Sequence, residues 1–243
     1  VSLRIALSES MDCFLPPWYQ ISFYQGLEFA SLLRLEQALS QEVLRTGRPH
    51  FLFWEIQPVI TVGYGIRADE VADELTHEGS SLPVVRVSRG GRLTVHGPGQ
   101  LGCFPLIPLE SFGLKLHDVL TLLESTIMLW LRLQNLRSFC RPGLTGVWWQ
   151  SQDKRALRKV AAIGIGARKG LVQHGFSINI KDMSDFFSAI IPCGNRQDGV
   201  VSVAEMRRER GLPQGIDMVW EAHELGQLLA RGLAKRQGAQ NEA

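Results

Sequence analysis

The chain has 243 residues, 45% of them hydrophobic, which is enough apolar material for one sizeable globular core. The formal net charge is only +2, so the overall charge balance implies neither a nucleic-acid-binding protein nor an acidic tail. The four cysteines (Cys13, Cys103, Cys140 and Cys193) stand far apart without a CxxC pair, which argues against a zinc site or a thioredoxin-type motif.

The first residues, VSLRIALSESMDCF, contain no long apolar stretch followed by a small-residue cleavage site. The longest apolar segment, 116–133, is interrupted by charged residues and is too polar to span a membrane. The sequence therefore predicts a protein of the reducing cytoplasm with four free thiols.

The first half of the chain mixes helical and strand patterns. Residues 1–17 are irregular and predict an N-terminal arm, and helical spacing of apolar residues predicts a helix from Tyr24 to Thr46 that ends at Gly47. Runs rich in β-branched and aromatic residues predict strands over 51–56, 58–63 and 83–88, with a short helix over 68–75.

The second half continues in the same mixed way. A strand is predicted over 100–109, where Pro105 indicates an edge or a bulge, and an amphipathic helix over 116–133. Three strands follow over 146–151, 160–167 and 172–180, then helices over 183–190 and 216–234. Because the strands come in groups without regular βαβ alternation, we expect an α/β (α+β) fold with a mixed sheet flanked by helices.

The segment RGGRLTVHGPGQ (89–100) places two groups of glycines around a short alternating strand. Glycine permits positive φ and lets a ligand approach the backbone, and Arg89 and His96 add polar groups at the two ends. An ordinary hairpin with glycine-rich turns explains the same pattern. Similarly, HGFSIN (174–179) fits a buried strand with a glycine bulge.

Two further segments carry reactive side chains. Lys159 precedes small residues (161–166) that leave space beside the backbone, and a lysine at the mouth of an apolar channel can accept a proton. A solvated lysine at a strand start is the alternative. Cys193 stands between Pro192 and Gly194, which suits an exposed nucleophile on a rigid turn, although most free cysteines are small buried hydrophobes.

Taken in order, RGGRLTVHGPGQ, KVAAIG, HGFSIN and PCG resemble the lipoyl(octanoyl) transferases, which transfer octanoate from acyl carrier protein to a lysine of lipoyl domains. The match runs from about Trp18 to about Glu205. Lipoate–protein ligases and biotin ligases share the fold, but they do not combine the GPGQ stretch with a later PCG cysteine.

The resemblance implies that Cys193 is the nucleophile and Lys159 its partner in proton transfer. It also implies three substrate-contact segments, which comprise Arg89, Gly90, Gly91, Arg92, Leu93, Thr94, Val95, His96, Ala162, Ile163, Gly164, Gly175, Phe176 and Ser177. The implied fold is the biotin/lipoate–protein ligase-like fold. We expect a catalytic domain over 18–207, with the helix and polar tail of 208–243 in the same domain.

The implied donor is octanoyl-acyl carrier protein, and the implied acceptors are lipoyl domains of 2-oxoacid dehydrogenases and the glycine cleavage H protein. A thioester donor is already activated, so neither ATP nor a metal is expected. The alternatives are an ATP-dependent lipoate or biotin ligase and a catalytically silent binding module of the same fold.

Basic residues dominate between Arg132 and Lys169, where Asp153 is the one acidic residue. A basic rim there would steer an acidic carrier protein toward the site. An ordinary solvated face explains the same charges.

Overall fold

The computed structural model describes residues 3–5, 18–66, 76–77, 80–151, 157–188 and 199–241. The strands in these residues are β1 (Leu3–Ile5), β2 (Gln20–Leu27), β3 (His50–Ile56), β4 (Val59–Val62), β5 (Thr76–His77), β6 (Ser80–Ser81), β7 (Val84–Arg86), β8 (Leu93–His96), β9 (Gln100–Leu106), β10 (Phe139–Arg141), β11 (Leu144–Gln150), β12 (Leu157–Arg168), β13 (Leu171–Asn179) and β14 (Gly199–Val200). The helices are α1 (Phe29–Thr46), α2 (Leu116–Leu133), α3 (Ser184–Ser188), α4 (Val203–Glu209) and α5 (Met218–Asn241), with a 3-10 turn at Glu110–Phe112.

The main sheet is mixed, as the sequence predicts. Its strand order is β1-β2-β3-β9-β13-β12-β11-β10, with β14 paired beside β12. The pairs β2–β3 and β12–β14 are parallel, and the other neighbours are antiparallel. A smaller sheet of order β7-β4-β8 carries the chain on either side of the glycine-rich segment 89–92.

Both faces of the main sheet are covered by helices. In β3, Phe51 and Phe53 join the cluster formed with α2, α4 and α5, whereas Leu52 and Trp54 join the cluster formed with α1. Successive side chains of a strand point to opposite faces, so a strand buried on both faces is a continuous apolar run. This explains why residues 51–54 (FLFW) are all hydrophobic.

The first predicted helix is wrong at its start and right at its end. Tyr24–Leu27 belong to β2, where Tyr24 pairs with Trp54 of β3, and the helix begins only at Phe29. Apolar spacing did not separate the strand from the helix, because the ladder with β3 is a contact between distant parts of the chain. Gly47 ends α1 in the left-handed region, and its N–H bonds the carbonyl of Val43 at 2.8 Å.

The prediction that Pro105 marks an edge strand or a bulge is wrong. Strand β9 is central, between β3 and β13, and Pro105 pairs with Phe51 of β3. The ladder between β9 and β13 stops at the pair Cys103–Phe176, and the pairing of the two segments resumes where the N–H of Val172 donates to the Ile107 carbonyl oxygen. Pro105 lies in this gap, where a missing N–H is tolerated.

The remaining strands and the helix over 116–133 are confirmed. The predicted helix over 68–75 lies outside the described residues. Within 183–190 the structure describes a helix over Ser184–Ser188, and the C-terminal helix runs further than predicted, from Met218 to Asn241. The N-terminal residues Leu3–Ile5 pair antiparallel with β2.

None of the helices in the described part of the chain is long and apolar enough to cross a membrane.

Candidate functional site

A cavity of about 70 Å³ lies between strands β12 and β13 and the chain that leads from β7 into β8. Lys159 is in its wall. The predicted substrate-contact residues that share this wall are Arg89, Gly91, Arg92, Leu93, Thr94, His96, Ala162, Ile163, Gly164, Gly175, Phe176 and Ser177. Segments far apart in the sequence thus meet at one place.

Two predicted residues lie elsewhere. Val95 is fully buried in the small apolar cluster with Ile60 and Phe187, and Gly90 lines a neighbouring groove. The later glycines of the same motif also lie outside the cavity wall. The N–H of Gly99 donates to Glu55 Oε1 at 2.7 Å, so the turn over 97–99 is anchored to β3 and shapes the loop rather than the cavity.

The small residues of β12 leave space that is occupied in part by the loop at Arg89–Gly91. A Cβ on Gly164 would lie 2.9 Å from Arg89 Cδ and 3.0 Å from the carbonyl oxygen of Gly90. The sequence suggested space beside this strand for a bulky group, and part of that space is filled by the Arg89–Gly91 loop itself. Ala161, by contrast, is buried in the core on the other face of the sheet.

Lys159 lies in β12 opposite Trp148 of β11, beside a register shift in the pairing. Its Nζ donates to the carbonyl oxygen of Thr145 at 2.9 Å and lies 4.8 Å from the centre of the Trp148 ring. Arg141 covers the same ring, with its Cζ 4.6 Å from the centroid. Cation–π contacts of this kind help to hold both cations against the Trp148 ring.

Arg89 is a buried cation that joins the loop to the smaller sheet. Its Nη2 donates to both the carbonyl oxygen of Thr61 (2.9 Å) and Thr61 Oγ1 (2.8 Å), and its Nη1 donates to the carbonyl oxygen of Gly90 (3.0 Å). Charge-assisted bonds to neutral oxygens compensate for the loss of water around the guanidinium.

His96 is held as a neutral ring. Burial, then the charge of Arg89, lower its pKa to about 3. Nδ1 lies 3.0 Å from Gln100 Oε1, which can only accept, so the proton is assigned to Nδ1 and Nε2 accepts from the Thr61 hydroxyl at 3.3 Å. Gln100 in turn donates to Asn179 Oδ1 at 2.9 Å, which ties the loop to β13.

His174 lies in the cavity wall beyond Gly175, with its backbone in the left-handed region at φ 58°. Its N–H donates to Glu36 Oε1 of α1 at 2.7 Å, and its ring Nδ1 lies 3.7 Å from Glu36 Oε2. Nε2 lies 3.3 Å from the hydroxyl of Ser88.

The Glu36–His174 contact is not a full ion pair at neutral pH. Burial raises the pKa of Glu36 to about 7, although the bond from the His174 N–H opposes this rise. Burial, then the charge of Arg89, lower the pKa of His174 to about 4. The ring is therefore neutral and the carboxyl is close to half protonated near pH 7.

Nothing in the sequence indicated five of the wall residues: Phe29, Trp54, Thr61, Val87 and Phe104. His174 stands in the HGFSIN motif but was not among the predicted substrate contacts. Glu36 was also missed. The one signal for Glu36 was its place in the buried stripe of α1, where Leu32, Ser40 and Val43 are the neighbours on the same face. A charged residue in such a stripe needs a partner.

Neither of the two cysteines in the described residues has a setting that favours a thiolate. Cys103 is fully buried, which raises the pKa of its thiol. Burial, then the charge of Glu124, raise the pKa of the half-buried Cys140 to about 11. Thiols of this kind are weak nucleophiles at neutral pH. Cys13 and Cys193 lie outside the described residues.

The predicted basic rim is weaker than the sequence suggested. Arg158 Nη1 lies 2.6 Å from Glu205 Oε1, and its Nη2 lies 3.6 Å from Glu209 Oε1. Both glutamates follow the basic region in sequence and return to it in the fold. Arg155, another basic residue of the predicted rim, lies outside the described residues.

Residues 29–224 match the model of the lipoyl protein ligase A/B catalytic domain family. The chain is 32% identical to the octanoyltransferase of Clostridium kluyveri (77% of this chain, 78% of that one) and 35% identical to that of Parabacteroides distasonis (79% and 89%). It is 37% identical to the octanoyltransferase of Geobacter sp. (68% and 76%).

Solved structures of lower identity share the fold. A lipoate-protein ligase A bound with ATP superposes with a TM-score of 0.58 at 15% identity, over 90% of this chain and 84% of that one. A bi-partite lipoate protein ligase from Thermoplasma acidophilum gives 0.57 at 18% identity, over 87% and 82%.

Proposed function

The chain belongs to the lipoyl protein ligase A/B catalytic domain family and, within it, to the octanoyltransferases, and from that premise we propose a reaction through a covalent thioester on Cys193. The protein is an acyltransferase. In the proposed reaction, octanoyl-acyl carrier protein is the donor and a lysine of a lipoyl domain is the acceptor. The observation that carries the proposal is the position of Lys159 in the wall of a cavity built from three separate sequence motifs.

The cavity suits a medium-length acyl chain. Apolar side chains such as Leu93, Ile163 and Phe176 form much of its wall. Each methylene transferred from water to such a wall gains about 0.8 kcal/mol, so the six internal methylenes of an octanoyl chain gain on the order of 5 kcal/mol before entropy losses.

Chain connectivity supports a meeting of Cys193 and Lys159. Downstream of Cys193, Gly199 pairs with Arg158 and Val200 pairs with Lys159 in the parallel β12–β14 ladder. The N–H of Val201 also donates to the carbonyl oxygen of Lys159 at 3.0 Å. Six residue steps separate Cys193 from Gly199, which limits their separation to about 20 Å.

The cysteine environments support the same assignment. Since burial keeps Cys103 and Cys140 protonated, neither fits the role of a nucleophile. Cys193 lies in the PCG segment that the octanoyltransferases use in this role, as the motif resemblance implies. The proposed compartment is the reducing cytoplasm, which keeps such a thiol available.

In the first step, Lys159 accepts the proton of the Cys193 thiol, or holds its thiolate as an ion pair, and the sulfur attacks the carbonyl carbon of the donor thioester. A new C–S bond forms, the C–S bond to the carrier breaks, and the carrier thiolate takes up the proton from Lys159. Backbone N–H groups near Cys193 or in the 89–96 loop stabilise the oxyanion.

In the second step, the amine of the acceptor lysine attacks the acyl-enzyme. A C–N bond forms, the C–S bond to Cys193 breaks, and Lys159 accepts the proton that the amine loses. Lipoyl domains of 2-oxoacid dehydrogenases and the glycine cleavage H protein are the proposed acceptors. No step consumes ATP, because the thioester supplies the activated carbonyl.

A donor-choice assay tests this function. The purified protein and a lipoyl domain are mixed either with octanoyl-acyl carrier protein or with free octanoate, ATP and Mg²⁺, and the mass of the domain is measured. We expect octanoylation only from the carrier-bound donor. Modification from free octanoate and ATP would instead identify a ligase.

Matched cysteine variants sharpen the assay. Cys193→Ala should abolish transfer from the carrier, whereas Cys140→Ala, which removes a half-buried thiol outside the cavity wall, should retain it. Equal activity of the two variants would contradict the assignment of Cys193.

A further inference from the structure

We propose that His174, held by Glu36 and Ser88, closes the far end of the acyl cavity and thereby limits the length of the acyl chain that the enzyme accepts. This inference rests on the proposed function, because it requires the thioester carbonyl to lie at the Lys159 end. It assigns a specificity role to His174, which is not among the predicted substrate contacts, and to Glu36 and Ser88, which lie outside the motifs that identify the family.

Lys159 and His174 lie at opposite ends of the cavity. Strand β12 runs from Lys159 to Ile165, and Ile165 pairs with His174 of β13. Six residue steps of strand separate the Cα atoms of Lys159 and Ile165 by about 20 Å. The Lys159 side chain takes up part of this distance, because its Nζ reaches along the β11–β12 pair to the carbonyl oxygen of Thr145. An acyl chain whose carbonyl is next to Lys159 therefore points its methyl end along β12 toward His174.

Beyond His174 lies a second, larger cavity of about 470 Å³. His174 and Val87 line both cavities, so these two side chains form the partition between them. The lining of the second cavity mixes leucines with polar and charged residues such as Gln37, Arg86 and Arg168. A hydrocarbon chain that entered it would have to desolvate those polar and charged groups, which is unfavourable.

The partition is fixed on several sides. Glu36 accepts from the His174 N–H at 2.7 Å and lies 3.7 Å from Nδ1, while Ser88 Oγ lies 3.3 Å from Nε2. The ring also makes an edge-to-face contact with Phe104 at 5.7 Å between centroids. A longer chain would have to displace a buried ring from these polar partners, which is unfavourable.

The test compares acyl chain lengths in a variant that opens the partition. His174→Gly removes the ring, and glycine adopts the left-handed backbone of position 174 (φ 58°) without strain. The wild-type protein and the variant are incubated with octanoyl-, dodecanoyl- and hexadecanoyl-acyl carrier protein, and the acyl-enzyme adducts are quantified by intact mass.

We expect the ratio of hexadecanoyl to octanoyl adduct to rise by about tenfold or more in His174→Gly, since an altered pocket end typically changes discrimination by that order. The matched control is Gln41→Ala, which lines only the second cavity and should leave the ratio unchanged. Val87→Ala opens the partition from its other side and should raise the ratio as well.

The outcomes separate the inference from the function. If both opening variants fold and form the octanoyl adduct with an unchanged chain-length ratio, the inference is wrong and the function stands. If His174→Gly fails to fold, Val87→Ala decides by the same ratio. If the wild-type protein forms no octanoyl adduct, the proposed function itself fails.

Discussion

The proposed role of Lys159 in proton transfer can be tested by replacing it with arginine. Its Nζ bonds the Thr145 carbonyl and lies against the Trp148 ring. Arginine in its place would keep the charge but would not exchange a proton at neutral pH. We expect Lys159→Arg to lower kcat/KM for octanoyl transfer by about 100- to 10,000-fold, the usual contribution of a positioned acid–base group.

The matched control is Lys235→Arg, an exposed substitution on α5 that should leave kcat/KM unchanged. A wild-type rate in Lys159→Arg would show that position 159 supplies only a positive charge and would contradict the proton-transfer role.

Glu36 gives the protein a distinctive pH dependence of stability. Burial raises its pKa from 4.5 to about 7, so between these values the folded state holds a proton that the unfolded state has lost. Glu36 therefore destabilises the fold increasingly as the pH rises through this window. Glu36→Gln, which cannot ionise, should gain stability relative to wild type, by on the order of 3 kcal/mol across the window.

His174 acts in the opposite direction. Because the pKa of His174 is lowered to about 4, its contribution to stability rises with pH between about 4 and 6.5. The wild-type protein and Glu36→Gln both contain His174, so this contribution is common to the two proteins. Urea denaturation below pH 4.5 and above pH 7 measures the difference in free energy of unfolding between Glu36→Gln and wild type. The control is Glu42→Gln, an exposed substitution on α1. A difference between Glu36→Gln and wild type that stays constant with pH would contradict the account.

Strand β12 and the loop at Arg89–Gly91 lie close together at the site, with little space between their backbones. At Gly164 of β12, a Cβ would meet Arg89 Cδ at 2.9 Å and the Gly90 carbonyl oxygen at 3.0 Å. Gly164→Ala should push the Arg89 loop away from β12 and lower octanoyl transfer, while the far-UV circular dichroism stays native. Gly199→Ala, where the nearest heavy atom would be 3.5 Å away, is the control. Full activity in Gly164→Ala would show that the loop position is not critical.

The same elements show how far the sequence alone predicts the structure. Lys159, His96 and Gly164 could be selected because the motifs that contain them together resemble the lipoyl(octanoyl) transferases. Glu36, Val87 and Phe104 could not, because each reaches the site through packing between distant elements. Tyr24–Leu27 were assigned to a helix for the same reason: their pairing with β3 is invisible in local periodicity.

At the scale of the whole molecule, α5 belongs to the principal core. Leu225, Leu229 and Leu233 are fully buried in the cluster with α2 and the main sheet, and Trp130 of α2 donates to Glu221 at 2.7 Å. We predict one cooperative unfolding transition, and Leu225→Ala should lower the free energy of unfolding by about 2–5 kcal/mol. Exposed Leu133→Ala is the control. A separate early transition for α5 would contradict a single domain.

The fold alone does not decide the chemistry, since ATP-bound lipoate-protein ligase A shares it. The distinguishing claim is a covalent acyl-enzyme on Cys193. Intact-protein mass spectrometry after incubation with octanoyl-acyl carrier protein tests it most directly. The account predicts one octanoyl adduct on the wild-type protein and on Cys140→Ala, lost in Cys193→Ala. Either of two results would contradict this claim: an octanoyl adduct that persists in Cys193→Ala, or octanoylation of a lipoyl domain by the Cys193→Ala variant.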